Sequence, residues 1–145
     1  MAIEVNPNPT PEEIQSVIDG VDRHNKPHFE AIRSQDFTCF VYDNKGEKSG
    51  GLYGELWGDW LLVKYLWVNP KSKGNGLGRE LLQQAETFAL GKGCHSVFLD
   101  TYSFQAKPFY EKQGYKVQMT LTQYPISDAR YYLTKDLINE SAEIN

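Results

Sequence analysis

The sequence predicts an α/β fold on a mixed sheet, and three observations carry that prediction. Runs rich in aromatic and β-branched residues alternate with runs of helical period. One apolar run leads through a glycine-rich turn and a helix into a second, which makes those two strands parallel and their crossover right-handed. The remaining runs are joined by short turns of hairpin type. The expected order is β-α-β-β-β-α-β-α-β-β, and 145 residues suit a single domain spanning 1–145.

Residues 3–7 read as a weak first strand. A helix follows, with Thr10 as N-cap, Pro11 at its first position and Glu13 closing a capping box. Ile14, Val17, Ile18 and Val21 recur at i, i+3, i+4 and i+7 as one apolar face, and Pro27 ends the helix. Residues 37–44 form a strand. Next come two strands, GLYGELW and WLLVKYLWV, joined by Gly58 and Asp59, a two-residue hairpin signal. That turn pairs Trp57 with Trp60, sets Glu55 opposite Leu62 and makes Lys64 its diagonal neighbour.

Pro70 ends the second of these strands. The next helix covers residues 77–92, with Leu77, Leu81, Leu82, Ala85, Phe88 and Ala89 on one stripe, and GKG stops it. Residues 95–101 are a short apolar strand of the buried parallel type. QAKPFYEKQGY gives a short helix, with Gly114 as a left-handed C′ residue. KVQMTLTQY and ARYYLTKDL finish the sheet, and the tail INESAEIN reads as frayed.

Hydrophobic residues make up 40% of the chain, enough for a core. A net charge of −4 argues against a general nucleic-acid partner, because phosphate-backbone affinity needs a basic surface. Cys39 and Cys94 show neither a disulfide framework nor metal spacing and read as free thiols in a reducing cytosol. His24 and His28 stand four apart with Pro27 between them, and no metal is expected. There is no signal-peptide signature and no run of ~18 apolar residues. Cytoplasm is the expected location, with no membrane partner.

The chemistry concentrates in NPKSKGNGLGRE. Helix N-termini leave backbone N–H groups unpaired and carry partial positive charge. Glycines let those donors close around a phosphate. Gly74, Gly76 and Gly78 stand there, with Lys71, Lys73 and Arg79 adding cations to an acidic protein. The spacing G-x-G-x-G is neither the dinucleotide fingerprint, which wants glycine where Arg79 stands, nor a nucleotide P-loop, which needs a following Lys-Ser/Thr pair. A plain strand-to-helix turn needing positive φ is the alternative.

Residues 65–93 together with 97–116 resemble the GNAT superfamily of acyl-CoA-dependent N-acetyltransferases. The pattern Q/R-x-x-G-x-G/A is met by Lys73-Gly74-Asn75-Gly76-Leu77-Gly78, with Lys at the first position. The second motif, A-x-x-F-Y-E-K-x-G-Y, runs from Ala106 to Tyr115. Order and spacing agree over residues 50 to 117.

The resemblance implies acetyl-CoA as co-substrate and a bulge near Leu66, Trp67 and Val68. Backbone freed there would bind the pantetheine arm like an added strand. Amides from Gly74 through Asn75, Gly76, Leu77 and Gly78 to Arg79 would take the pyrophosphate. It implies direct attack by an amine on the thioester, with Tyr110 as general acid to the leaving thiolate. Ser103 stands where many relatives place Asn against the cofactor. Lys107 and Lys112 either reach the 3′-phosphate or are solvated helix cations. Asp100 either takes the amine proton, anchors the substrate cation, or makes a loop-start hydrogen bond. Glu55 pairs with Lys64 and stays away from the thioester, and a water chain is left to serve as base. Tyr53, Trp57, Tyr65 and Trp67 line an acceptor pocket or pack a core, and QYPISDARYY forms part of the acceptor wall. The expected acceptor is a primary amine on a small molecule. The alternatives are a non-catalytic CoA-binding sensor and a protein lysine or N-terminal acetyltransferase. A homodimer is common among such proteins.

Overall fold

The computed structural model describes residues 1–138. Chain contacts divide it into two compact units, Met1–Ile32 and the part from Arg33 onward.

The first unit is built on one helix, α1 (Pro11–Phe29). The capping box forms as expected: the Thr10 hydroxyl accepts from the Glu13 N–H, and the Glu13 carboxylate accepts from the Thr10 N–H. The helix does not stop at Pro27 but runs two residues past it. A proline that near the C-terminal end removes only one ladder bond, which leaves the last turn to form around it. Residues 3–7 form no strand, so the first element of the expected order is absent. None of the residues of α1 is buried.

The second unit is a six-stranded sheet in the order β1-β2-β3-β4-β6-β5. Its strands are β1 (Ser34–Tyr42), β2 (Lys48–Trp57), β3 (Trp60–Val68), β4 (Ser96–Tyr102), β5 (Lys116–Thr122) and β6 (Ala129–Asp136). Two helices join them, α2 (Leu77–Gly91) between β3 and β4 and α3 (Lys107–Lys112) between β4 and β5. Of the tail, residues 139–145 lie outside the described residues.

The β2–β3 register is the one the turn dictates: Trp57 faces Trp60 and Glu55 faces Leu62. Gly58 takes the left-handed conformation this turn needs, at φ +58°. Arg33 ties the turn to the end of α2, its guanidinium donating to the Gly58 and Lys92 carbonyls. The core lies on one side of the sheet, where Leu52, Leu56, Leu61, Val97, Leu99 and Leu133 meet Leu81, Leu82, Ala85 and Ala89 of α2. A buried ion pair joins α2 to β6: Lys135 Nζ lies 2.8 Å from Glu86, whose other oxygen accepts from the Tyr115 hydroxyl.

The bulge sits elsewhere than expected, the parallel β3–β4 pair splays as the resemblance implies, and both shape the site. The bulge lies at Lys64, earlier than the expected Leu66–Val68 region. Tyr53 pairs with Tyr65 but Gly54 pairs with Val63, so Lys64 is the extra residue. Leu61 and Val63 point inward; Lys64 and Tyr65 are both exposed; Leu66 and Val68 then pack on the core. One inserted residue has reversed the alternation, as a bulge must. In addition, β4 is not enclosed by parallel neighbours. It pairs in parallel with β3 only from Trp60–Ser96 to Leu62–Phe98, and along its full length it is antiparallel to β6. Past Leu62, β3 and β4 part.

Candidate active site

Two glycines of the loop have a backbone reason. Gly74 (φ +88°) and Gly76 (φ +73°) hold left-handed backbone that side chains avoid and shape the turn. Gly78 has ordinary helical backbone, and a Cβ there would meet the Phe109 ring at 3.4 Å, an ordinary contact distance. Gly76 caps α2 without a side-chain hydrogen bond. The Asn75 amide closes the loop onto the Ser72 carbonyl. Among the described residues, none accepts a hydrogen bond from the backbone N–H groups of residues 74–79. Six consecutive donors at a positive helix end are therefore available.

These donors open on a groove of about 630 Å³. One wall is Leu66, Trp67 and Val68, the stretch of β3 beyond the bulge; the other is Ala106, Phe109 and Tyr110. Lys73, Gly74, Gly76, Leu77, Gly78 and Arg79 close the end. Ser72, Ala106 and Phe109 also line it, although the sequence reading assigned them no part. The A-x-x-F-Y motif, read as a packing surface, holds the signal for two of them.

On the far side of the splay, a cleft runs between β3 and β4, lined by Lys64, Tyr65, Asp100, Tyr102 and Tyr110. Leu66, Ala106 and Tyr110 line both spaces. Tyr110 is only 8% exposed, and its ring meets Phe109 and Tyr115 edge-on. Its hydroxyl makes no hydrogen bond among the described residues, which leaves the proton free for a bound group. Burial, and then the charge of Asp100, push its pKa up to about 12. At neutral pH it is a protonated donor.

Three expected residues have partners within the fold. Asp100 makes an ion pair with Arg130, whose Nε and Nη2 both lie 2.8 Å from Oδ2. Ser103 does not line the groove. Its hydroxyl donates to Asp128 and accepts from the Ala129 N–H, fastening the end of β4 to the turn before β6. Lys107 is also outside the lining, its ammonium lying 4.7 Å from the Tyr131 ring centre. Glu55 behaves as expected: Lys64 sits 3.6 Å away, Ser34 donates to it, and it lines neither space. Burial raises the pKa of both Cys39 and Cys94, so neither thiol is set up as a nucleophile. Among the described residues, no group of three or more His, Cys, Asp or Glu could hold a metal, and no helix is long and apolar enough to cross a membrane.

A family model described as Acetyltransferase (GNAT) family matches residues 7–115. The chain belongs to this family. A blasticidin-S acetyltransferase from Streptomyces morookaense is 34% identical over 112 residues, covering 77% of this chain and 82% of that protein. A crystal structure of an acetyltransferase from Bacillus cereus ATCC 14579 superposes with a TM-score of 0.82 at 27% identity, covering 92% of this chain and 97% of that one. A Bacillus anthracis protein described as a streptothricin acetyltransferase, solved with acetyl coenzyme A, shares the fold at a TM-score of 0.63 and 18% identity, covering 70% of this chain and 62% of that one.

As a GNAT N-acetyltransferase, the protein uses acetyl-CoA as co-substrate. The residues present fit that molecule. A diphosphate needs hydrogen-bond donors close together, and the backbone N–H groups of the consecutive residues 74–79 have no acceptor among the described residues. An extended amide arm needs a strand edge without a partner, and β3 has one beyond Leu62, where β4 has left it.

Proposed function

We propose that this enzyme acetylates a primary amine on a small molecule by direct attack in a ternary complex, with Tyr110 as the general acid. The observation that supports this most is the placement of Tyr110 in the lining of both groove and cleft. A hydroxyl there reaches a thioester held from the groove side and approached by an amine from the cleft side. The proposed ligands of the co-substrate are Leu66, Trp67 and Val68 for the arm, and Lys73 with the amides of residues 74–79 for the diphosphate. A small acceptor is in keeping with the relatives, whose names refer to blasticidin S and streptothricin.

Alkyl amines are protonated at neutral pH, with pKa values near ~10.4, so the acceptor must shed a proton before attack. Water entering the cleft takes it, since Glu55 is engaged by Lys64 and Ser34. The departing thiolate has a conjugate-acid pKa near ~8.5. Complete transfer from a phenol pushed up to about 12 is uphill in the empty site. Tyr110 therefore acts first as a hydrogen-bond donor that meets charge as it grows on sulfur, and the proton follows as the C–S bond breaks. Two unpaired thiols suit a reducing compartment, and cytoplasm is the proposed location.

The test is free-thiol release from acetyl-CoA with a panel of small primary amines. Turnover of at least one amine, falling in Tyr110→Phe, is expected. A panel without turnover, alongside mass-spectrometric acetylation of a protein substrate, would transfer the activity to a protein acceptor. Light scattering decides between monomer and the homodimer expected from the resemblance.

A further inference from the structure

The acceptor cleft carries one carboxylate, and its geometry is one-sided. Both short guanidinium contacts of Arg130 fall on Oδ2 of Asp100, while Oδ1 has no partner among the described residues. Asp100 also lies close enough to Tyr110 for its charge to act on the phenol. Several other polar groups of the cleft are committed. Thr101 donates to Gln105 Oε1, which also accepts from the Tyr102 N–H. Lys64 has Glu55 as its counter-ion.

Arg130 is restrained far more than a surface arginine. Its Nη1 donates to the Tyr124 hydroxyl at 3.2 Å. The rings of Tyr102, Tyr124 and Tyr132 surround the guanidinium at 5.4, 5.5 and 5.1 Å. Those rings come from the end of β4, the β5–β6 turn and β6, so three chain segments fix one cation. An exposed ion pair contributes only ~0–1 kcal/mol to stability. A clamp of this kind instead fixes orientation, which matters for a ligand.

We infer that Arg130 is a positioning residue that turns the free oxygen of Asp100 toward the ammonium of an alkyl amine acceptor. This rests on the small-amine reading above and narrows it. An alkyl amine arrives as a cation and needs a counter-ion next to the thioester. A weakly basic aryl amine arrives neutral and gains nothing from Asp100. Asp100 thus selects cationic amines, and Arg130, which lines the adjoining space on the same side of the splay, acts by fixing the orientation of that carboxylate.

The experiment compares kcat/KM for an alkyl amine and an aryl amine of similar size in wild type, Asp100→Asn, Arg130→Gln, Arg130→Lys and the Asp100→Asn/Arg130→Gln double variant. The dissociation constant for acetyl-CoA is measured alongside by calorimetry. The alkyl-over-aryl preference should fall at least tenfold in Asp100→Asn and in Arg130→Gln, mainly through KM of the alkyl amine. Arg130→Lys should recover part of it, and the double variant should fall within twofold of Asp100→Asn. If Arg130→Gln does not fold, Tyr124→Phe, which loosens the guanidinium alone, should lower the preference severalfold. An unchanged preference, equal losses on both amines, or additive losses in the double variant would overturn the inference while the small-amine reading stands. Wild type that binds acetyl-CoA but turns over no alkyl amine would overturn both.

Discussion

Gly78 and Phe109 close the floor of the groove: a methyl group on the glycine would stand 3.4 Å from the edge of the ring. That distance is ordinary van der Waals contact, so Gly78→Ala fits. In a helix, alanine is favoured over glycine by ~0.5–1 kcal/mol. The variant should be as stable as wild type or more so, while its dissociation constant for acetyl-CoA rises several-fold because the methyl enters the groove. Gly76→Ala should behave the other way in a urea melt. Nothing lies near its Cβ, but φ is +73°, and strain should cost about 1–2 kcal/mol.

Tyr110→Phe removes a hydroxyl that has no hydrogen-bond partner among the described residues, so the melting temperature should barely move. Steady-state kinetics should show kcat lowered about a hundredfold or more, the range for loss of a general acid, with KM for acetyl-CoA little changed.

The same residue predicts a pH dependence of stability. Its folded pKa, pushed up to about 12, lies above the unfolded value of ~10. The folded state then keeps a proton that the unfolded chain has lost. Its contribution is whole below pH ~10 and is lost as pH rises toward ~12, at about 1.4 kcal/mol per unit. Denaturant melts at pH 9 and pH 11 should show a steeper loss in wild type than in Tyr110→Phe, by roughly 1 kcal/mol.

The bulge makes a sharp contrast. Lys64→Ala keeps the extra residue and loses only an ion pair of 3.6 Å with an exposed lysine, so acetyl-CoA binding should persist. Deleting Lys64 places Tyr65 directly after Val63, which restores strict alternation with Leu66 and Val68 still facing the core but removes the bend of the bulge. If that bend is what parts β3 from β4, calorimetry should then find acetyl-CoA binding lost.

Lys135→Met should destabilise the fold by about 3 kcal/mol, because it strands the buried Glu86 carboxylate with the Tyr115 hydroxyl. Replacing Glu86 with Leu in the same chain should recover much of that loss in a urea melt, since an apolar pair needs no counter-ion.

The amino-acid sequence alone determined whatever is settled over a few neighbouring residues. The Gly58-Asp59 turn set the Trp57–Trp60 register, the Thr10–Glu13 capping box began α1, and the spaced glycines with the A-x-x-F-Y-E-K-x-G-Y helix marked the groove. Capping, turns and periodicity are short-range effects, so they show in a string of letters. Tertiary structure decided the rest. Nothing local marks Lys64 as the bulge, because the choice depends on which pairing lets both Val63 and Leu66 reach the core across β2. Nor does spacing show that β6 inserts beside β4, bringing Arg130 to Asp100 across 30 positions of chain. The same insertion gives Lys107 the ring of Tyr131 and Ser103 the carboxylate of Asp128. Side chains with several candidate partners take the ones that packing brings within reach, and that reach exists only once the sheet has formed.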